Sequence, residues 1–340
     1  MIALAVEALP SELRASLPPE LRGVRRDRVR LLVVDRAASR VEHRRFNDLL
    51  TLLDPGDLLV VNSSRTLPAA VPAVRRDGTP VQLRPCVRRR DSWDVLAVQT
   101  EPPHENVALI EGEPLRAGGA PLGRVVGRRR DIPFLWRMDL APGVGIHTIA
   151  SLGEPIRYSY VPRPVALEHY QTVYAMRPGS AEPPSAGRPF SWELLLALRG
   201  RGVGLADVVL HAGLSSYQDD AFDLEHRLYE EWFEVGDEAV AAVTRAKRVV
   251  AVGTTVVRAL ETAGKEGGLR AASGWTDLRI SPTTTIRHAD AMITGLHEPQ
   301  ASHWELLEAF VDAPLLRRAY DEARERRYLW HEFGDAMLIV

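Results

Sequence analysis

Cysteine is nearly absent from this 340-residue chain: Cys86 stands alone. A single thiol excludes an intrachain disulfide and leaves any thiolate metal site without its other ligands. The ten histidines are scattered, with no HExxH and no paired CxxC, so the pattern offers no metal centre. Long hydrophobic runs are missing too. No stretch approaches the ~18 apolar residues of a membrane span. The N-terminal MIALAVEALPSELRASLPPEL turns acidic and proline-rich where a secretory signal would carry a basic head and an apolar run. The expectation is a cytoplasmic protein with no membrane partner. A net field is lacking as well, because the formal charge is −2, so nucleic acid would have to be held by local patches. Arg88-Arg89-Arg90 and Arg128-Arg129-Arg130 are the two candidates. Lysine occurs only at Lys247 and Lys265, so a general preference for arginine weakens both runs, and a solvated face is their more frequent meaning.

What is present is enough for two cores. At 340 residues and 45% apolar content, the chain exceeds the ~250 residues at which single cores commonly stop growing. RVRLLVVDR reads as a strand, FNDLLTLL as amphipathic, and DPGDLLVVN as a turn entering a second strand. From about Pro68 to Ile149 the pattern changes to short β-type runs (PVQLRPCV, WDVLAVQT, NVALIEG, PLGRVVG, FLWRMDL) broken by Gly, Pro and Asp. Afterwards strands and helices alternate: SWELLLALRGRG, ADVVLHAG, DEAVAAVTRAK, RVVAVG, TTVVRALETAG, then a helical SHWELLEAFVDAPLLRRAYDEARERR. This predicts an α/β domain made of 1–67 and 150–340, its mostly parallel, helix-covered sheet curling toward a barrel, with an all-β domain inserted at 68–149.

Several separated segments resemble, in order, the signature blocks of the S-adenosylmethionine:tRNA ribosyltransferase-isomerase family of the queuosine pathway. They are GDLLVVNSSRTLPA, HYQTVYA with PGSAEPPSAGRPF, VVLHAG, RVVAVGTTVVRALE, ADAMITGLHEP and FGDAML. The resemblance implies a semi-barrel catalytic domain carrying an all-β insert. It also implies S-adenosylmethionine as ribosyl donor, without metal, and tRNA bearing a 7-aminomethyl-7-deazaguanine base as acceptor. The ribosyl unit becomes an epoxycyclopentane while adenine and methionine leave. Such chemistry needs a base for the carbon acidified by the sulfonium, and fixed groups for the sugar, adenine and carboxylate.

The candidates follow from these segments. Asn62 and Arg65 belong to the Asn-x-x-Arg loop, and Arg65 and Arg258 are fixed cations suited to a carboxylate. Gly253, Thr254 and Thr255 pass a strand into a helix start that can meet an anion. Tyr170 and Gln171 could stack on and hydrogen-bond a flat base. His211, His297 and Glu231 are the acid–base candidates, although a strand-end histidine is as often a packing residue and the acidic YEEWFEV also reads as a solvated edge.

The sequence departs from the family around this presumed site. Thr-Ala-Gly-Leu-His-Phe is replaced by Ser185-Ala186-Gly187-Arg188-Pro189-Phe190, and His-Ser-Glu by Tyr229-Glu230-Glu231. The loop Asn-Phe-His-Leu-Pro becomes Gly295-Leu296-His297-Glu298-Pro299, and Pro-Leu-Pro-Pro-Tyr-Ile becomes YSYVPRP. Two imidazoles are lost, with His226 as the nearest substitute. Three functions remain open: the family reaction on tRNA, a paralogue that uses or cleaves S-adenosylmethionine with another acceptor, and a non-catalytic nucleoside or S-adenosylmethionine binder.

Overall fold

The computed structural model describes residues 9–218, 228–265, 267–297 and 302–340; His226, Glu298 and Pro299 fall outside them. The strands in chain order are β1 (Arg30–Asp35), β2 (Arg40–Arg45), β3 (Asp57–Asn62), β4 (Ser64–Thr66), β5 (Val71–Val74), β6 (Pro80–Arg88), β7 (Ser92–Val98), β8 (Pro114–Ala117) and β9 (Ala120–Arg128). They continue with β10 (Leu135–Leu140), β11 (Arg177–Ser180), β12 (Gly204–Leu210), β13 (Glu231–Val235), β14 (Arg248–Val252), β15 (Ala272–Thr276), β16 (Ala291–Gly295) and β17 (Ala336–Ile339). Among the described residues no helix is long and apolar enough to cross a membrane.

Nine strands form one sheet in the order β15-β13-β12-β3-β14-β16-β17-β1-β2. Its centre, β12-β3-β14-β16, is parallel as the strand–helix alternation predicts. On one flank β12, β13 and β15 pair antiparallel; on the other β17 runs against β16 but parallel to β1, which pairs antiparallel with β2. The alternation along each strand divides the core in two. Leu58, Val60, Ala251 and Met292 face the helices Thr254–Ala263 and Ala313–Glu325, whereas Leu59, Val61, Val250 and Ile293 face Phe46, Leu49 and the helix Trp192–Gly200. Side chains of successive strand residues point to opposite faces, and a strand covered on both sides reads as a continuous apolar run, as DLLVVN and RVVAV do.

The long C-terminal helical stretch breaks into Ser302–Glu308 and Ala313–Glu325. Asp312 accepts a hydrogen bond from the Leu315 amide at 3.0 Å, and proline follows in the first turn, so the sequence restarts the helix there. The acidic YEEWFEV is strand β13 rather than a solvated edge, with Phe233 and Val235 buried.

Strands β5–β10 close into a six-stranded antiparallel barrel in the order β10-β7-β6-β5-β8-β9. Closure removes the edge strands, and Val71, Leu83, Val95, Val125 and Met138 fill the interior. All six strands fall within 68–149, and we propose that segment as the inserted domain. Val87, Leu96 and Leu135 of the barrel join Tyr217 and Tyr229 in an apolar cluster that seals barrel to sheet.

Candidate active site

A cleft of about 800 Å³ opens where the parallel strands end. Its wall takes residues from the turn after β14, the loop after β12, the start of β13, the end of β16 and the segment preceding β17. Ligands in open α/β sheets characteristically bind outside the carboxyl ends of the strands, where loops diverge and leave a crevice.

Gly253, Thr254 and Thr255 lie together in this wall. Gly253 adopts φ 97°, a backbone conformation that favours glycine in the strand-to-helix turn. The helix Thr254–Ala263 begins without a side-chain cap. Arg258, one turn further, is 9% exposed. Its Nε donates to the Leu278 carbonyl at 2.9 Å and its Nη1 to Glu231, while Nη2 has no partner among the described residues. Glu231 also accepts from the Gly213 amide at 2.6 Å. The carboxylate is thereby engaged by two donors and braces three elements, a poor arrangement for the acid–base role expected of it.

His297 lines the cleft with its ring stacked on His303, centroids 4.3 Å apart and 9° between planes. Burial, reinforced by His303 and His331, drives its pKa well below the usual value. It is a neutral imidazole, a hydrogen-bonding group more than a base.

The remaining sequence candidates lie elsewhere. Asn62 sits beneath the cleft. Its Nδ2 donates to the Leu210 carbonyl (2.8 Å) and Thr255 Oγ1 (3.1 Å), and its Oδ1 accepts from the amides of Ser64 (3.0 Å) and Leu210 (3.1 Å). An amide side chain has four such positions, so none is left for a ligand. Gln171 clamps the backbone of Thr66, accepting from its amide and donating to its carbonyl. Tyr170 is 2% exposed and packs on Phe333, which prevents it from stacking on a base. Arg65 is exposed on β4 and does not line the cleft. His211 opens into a neighbouring pocket with Arg88 and Trp232.

Sequence reasoning missed much of the cleft. Tyr158 stacks on Tyr160 (5.6 Å, 11°) and Tyr160 on His331 (4.6 Å, 16°), giving a ladder of flat rings along the wall. Two carboxyls stand beside it. Burial pushes Glu182 up to about 7 despite its hydrogen bond to Ser215, and burial pushes Glu332 up to about 7 as well. Glu332 Oε2 has no hydrogen-bond partner among the described residues. The only signal was indirect, since YSYVPRP was already a departure from the family pattern. Of the lost imidazoles, position 229 faces the cleft, where the Tyr229 hydroxyl is engaged with the Leu214 backbone, while Pro189 is buried away from the cleft wall.

Comparisons with known proteins follow the same direction. A family model described as "Queuosine biosynthesis protein" matches residues 8–339. An S-adenosylmethionine:tRNA ribosyltransferase-isomerase from Carboxydothermus hydrogenoformans is 37% identical over 98% of this chain and 97% of its own. Its counterpart in Heliobacterium modesticaldum is 38% identical over 100% of this chain and 99% of its own. The crystal structure of an S-adenosylmethionine tRNA ribosyltransferase from Thermotoga maritima is similar at a TM-score of 0.55 and 30% identity, covering 98% of each chain.

Proposed function

We propose, from the premise that this chain belongs to the S-adenosylmethionine:tRNA ribosyltransferase-isomerase family of queuosine biosynthesis, that the cleft above the parallel strands is where the family reaction occurs. The chain is a transferase and isomerase that uses S-adenosylmethionine as its substrate. It moves and isomerises the ribosyl unit onto a 7-aminomethyl-7-deazaguanine base in tRNA and releases adenine and methionine.

The observation that carries the site assignment is the convergence of Gly253, Thr254, Thr255 and Arg258 with two half-buried carboxyls of raised pKa in one crevice. The open helix start and the Arg258 guanidinium suit the carboxylate and hydroxyls of the donor. The Tyr158–Tyr160–His331 ladder gives a planar heterocycle a surface to stack on. Glu182 and Glu332, each near half ionisation at neutral pH, are suited to take a proton from the carbon next to the sulfonium or return one to the departing adenine. They occupy the role the missing imidazoles would have had. His297 orients rather than titrates.

A different acceptor is the second reading, favoured by one observation: Tyr158 and Tyr229, where the sequence departs from the family, both line the cleft. Incubation with S-adenosylmethionine, with and without tRNA carrying the deazaguanine base, separates the two. Adenine and methionine should appear only with the tRNA. Release at the same rate without RNA, or none under either condition, would overturn the proposal.

A further inference from the structure

A second cavity of about 430 Å³ lies against the cleft at the seam of barrel and sheet, bounded by Arg88, Arg90, His211, Trp232 and Trp275. The two spaces share chain but no residue. Ala212 faces the cleft and His211 the cavity; Glu231 faces the cleft and Trp232 the cavity.

The cavity is cationic at its back and rim. The Arg88 guanidinium is buried, with Nη1 donating to the Pro85 carbonyl at 3.3 Å and Nε without a partner among the described residues. Burial lowers its pKa to about 10, which leaves it charged at neutral pH. Arg90 is exposed and makes no ion pair among the described residues. Arg89 and Arg129 are already committed to Glu230, in a network around Asp94.

His211 adds a donor. Burial and the charges of Arg88 and Arg177 lower its pKa to about 4, so the ring is neutral. Ala212 N–H donates to Ser180 Oγ (3.0 Å), which lies 2.6 Å from Ser64 Oγ, itself 2.8 Å from His211 Nδ1. Ser180 and Ser64 are fully buried. Only one direction of this chain gives every hydroxyl an acceptor: Ser180 donates to Ser64, and Ser64 to Nδ1. The proton of the neutral ring then sits on Nε2. Trp232 and Trp275 complete the wall, edge to face at 5.6 Å, with Trp275 39% exposed and the Arg89 guanidinium over its ring at 5.1 Å from the centroid.

Cations, a neutral N–H donor and a partly exposed indole are together what single-stranded RNA requires, since phosphate takes the charges and an unstacked base takes the ring. We propose that this second cavity holds a phosphate and an unstacked base of an RNA nucleotide flanking the one that enters the cleft, a reading that rests on tRNA being the acceptor. Trp275 supplies the stacking face, Arg88 and His211 bind the phosphate, and Arg90 guards the entrance.

The test is tRNA affinity measured across a salt series with the full-length protein, using the exposed positions so that folding is preserved. Trp275→Ala should weaken binding roughly 5- to 150-fold, the scale of a lost base stack. Arg90→Ala should weaken it and flatten the logarithmic salt slope by about 1. Arg130→Ala, an exposed arginine of the other run that does not line the cavity, should do neither, and S-adenosylmethionine should shift the melting point of all three variants as in the parent. Parent-like affinity and slope in both Trp275→Ala and Arg90→Ala would overturn the proposal while leaving the acceptor intact. Failure of the unaltered protein to bind tRNA would overturn both, and adenine release without RNA would then locate the fault in the acceptor.

Discussion

The carboxylate of Glu231 holds the guanidinium of Arg258 and the amide of Gly213 at once, so the start of β13, the helix Thr254–Ala263 and the loop after β12 meet at one charged link in the cleft wall. The side chains are only 12% and 11% exposed. Taking away one partner of such a pair leaves an uncompensated charge out of water. Arg258→Ala should therefore lower stability in urea denaturation by about 3–5 kcal/mol as well as weakening S-adenosylmethionine binding. The double variant Arg258→Ala/Glu231→Gln should lose less than the sum of the two singles, because no charge is stranded. A parent-like urea midpoint for Arg258→Ala would remove the structural role and leave only the ligand role.

Asn62 separates the two kinds of role from the other side. With all four hydrogen-bonding positions used internally, Asn62→Ala should cost stability, about 1–3 kcal/mol for each buried group left without a partner. Calorimetry on the folded variant at low temperature should return a nearly unchanged donor affinity. A large loss of affinity in a variant of normal stability would show that Asn62 touches the donor.

These two cases show why the site was only partly legible in the sequence. Gly253, Thr254, Thr255, Arg258, Glu231 and His297 come from strand ends and the turns that follow them, and the parallel order of β12, β3, β14 and β16 brings such ends together. The central fold was legible for the same reason, since DLLVVN and RVVAV are apolar throughout and must be covered on both faces. Asn62 and Gln171 were misjudged because a motif cannot reveal whether an amide spends its hydrogen bonds on backbone or on ligand. Glu182, Glu332 and the Tyr158 ladder sit in irregular segments before β12 and β17, where no periodicity marks the inward face, and only tertiary burial gives their carboxyls unusual acidity.

Restoring the lost imidazoles is informative one position at a time. Position 189 is buried away from the cleft, so Pro189→His should leave the pH dependence of turnover unaltered. Tyr229 lines the cleft and its hydroxyl is tied to the Leu214 backbone. Tyr229→His should free that loop, lower stability by about 1–3 kcal/mol for the hydrogen bond and the apolar packing lost together, and introduce a group titrating closer to neutrality. Turnover on deazaguanine-bearing tRNA should rise in Tyr229→His alone. An equal gain from Pro189→His would mean that position 189 reaches the substrate.

The last prediction concerns pH and rests on Glu182 and Glu332. Both carboxyls are pushed by burial from the usual 4.5 up to about 7, so the folded protein binds these protons more tightly than the unfolded chain. A raised pKa of this kind contributes stability that is complete below about pH 4.5 and is lost as pH climbs through 7. Glutamine is neutral throughout that window. Glu332→Gln should consequently match or trail the parent at pH 4.5 and exceed it above pH 7, by about 1–3 kcal/mol at the conversion of ~1.4 kcal/mol per unit. The rate should answer in the opposite sense. If a carboxyl with this acidity moves the proton, kcat/KM of the parent carries a limb near pH 7 that Glu182→Gln or Glu332→Gln removes along with roughly 10²–10⁴-fold of the rate. Urea midpoints and initial rates taken between pH 5 and 8 measure both effects on the same samples. A stability difference between parent and Glu332→Gln that stays constant over that range would show that the carboxyl is ionised in the cleft and neither stores nor transfers a proton near neutrality.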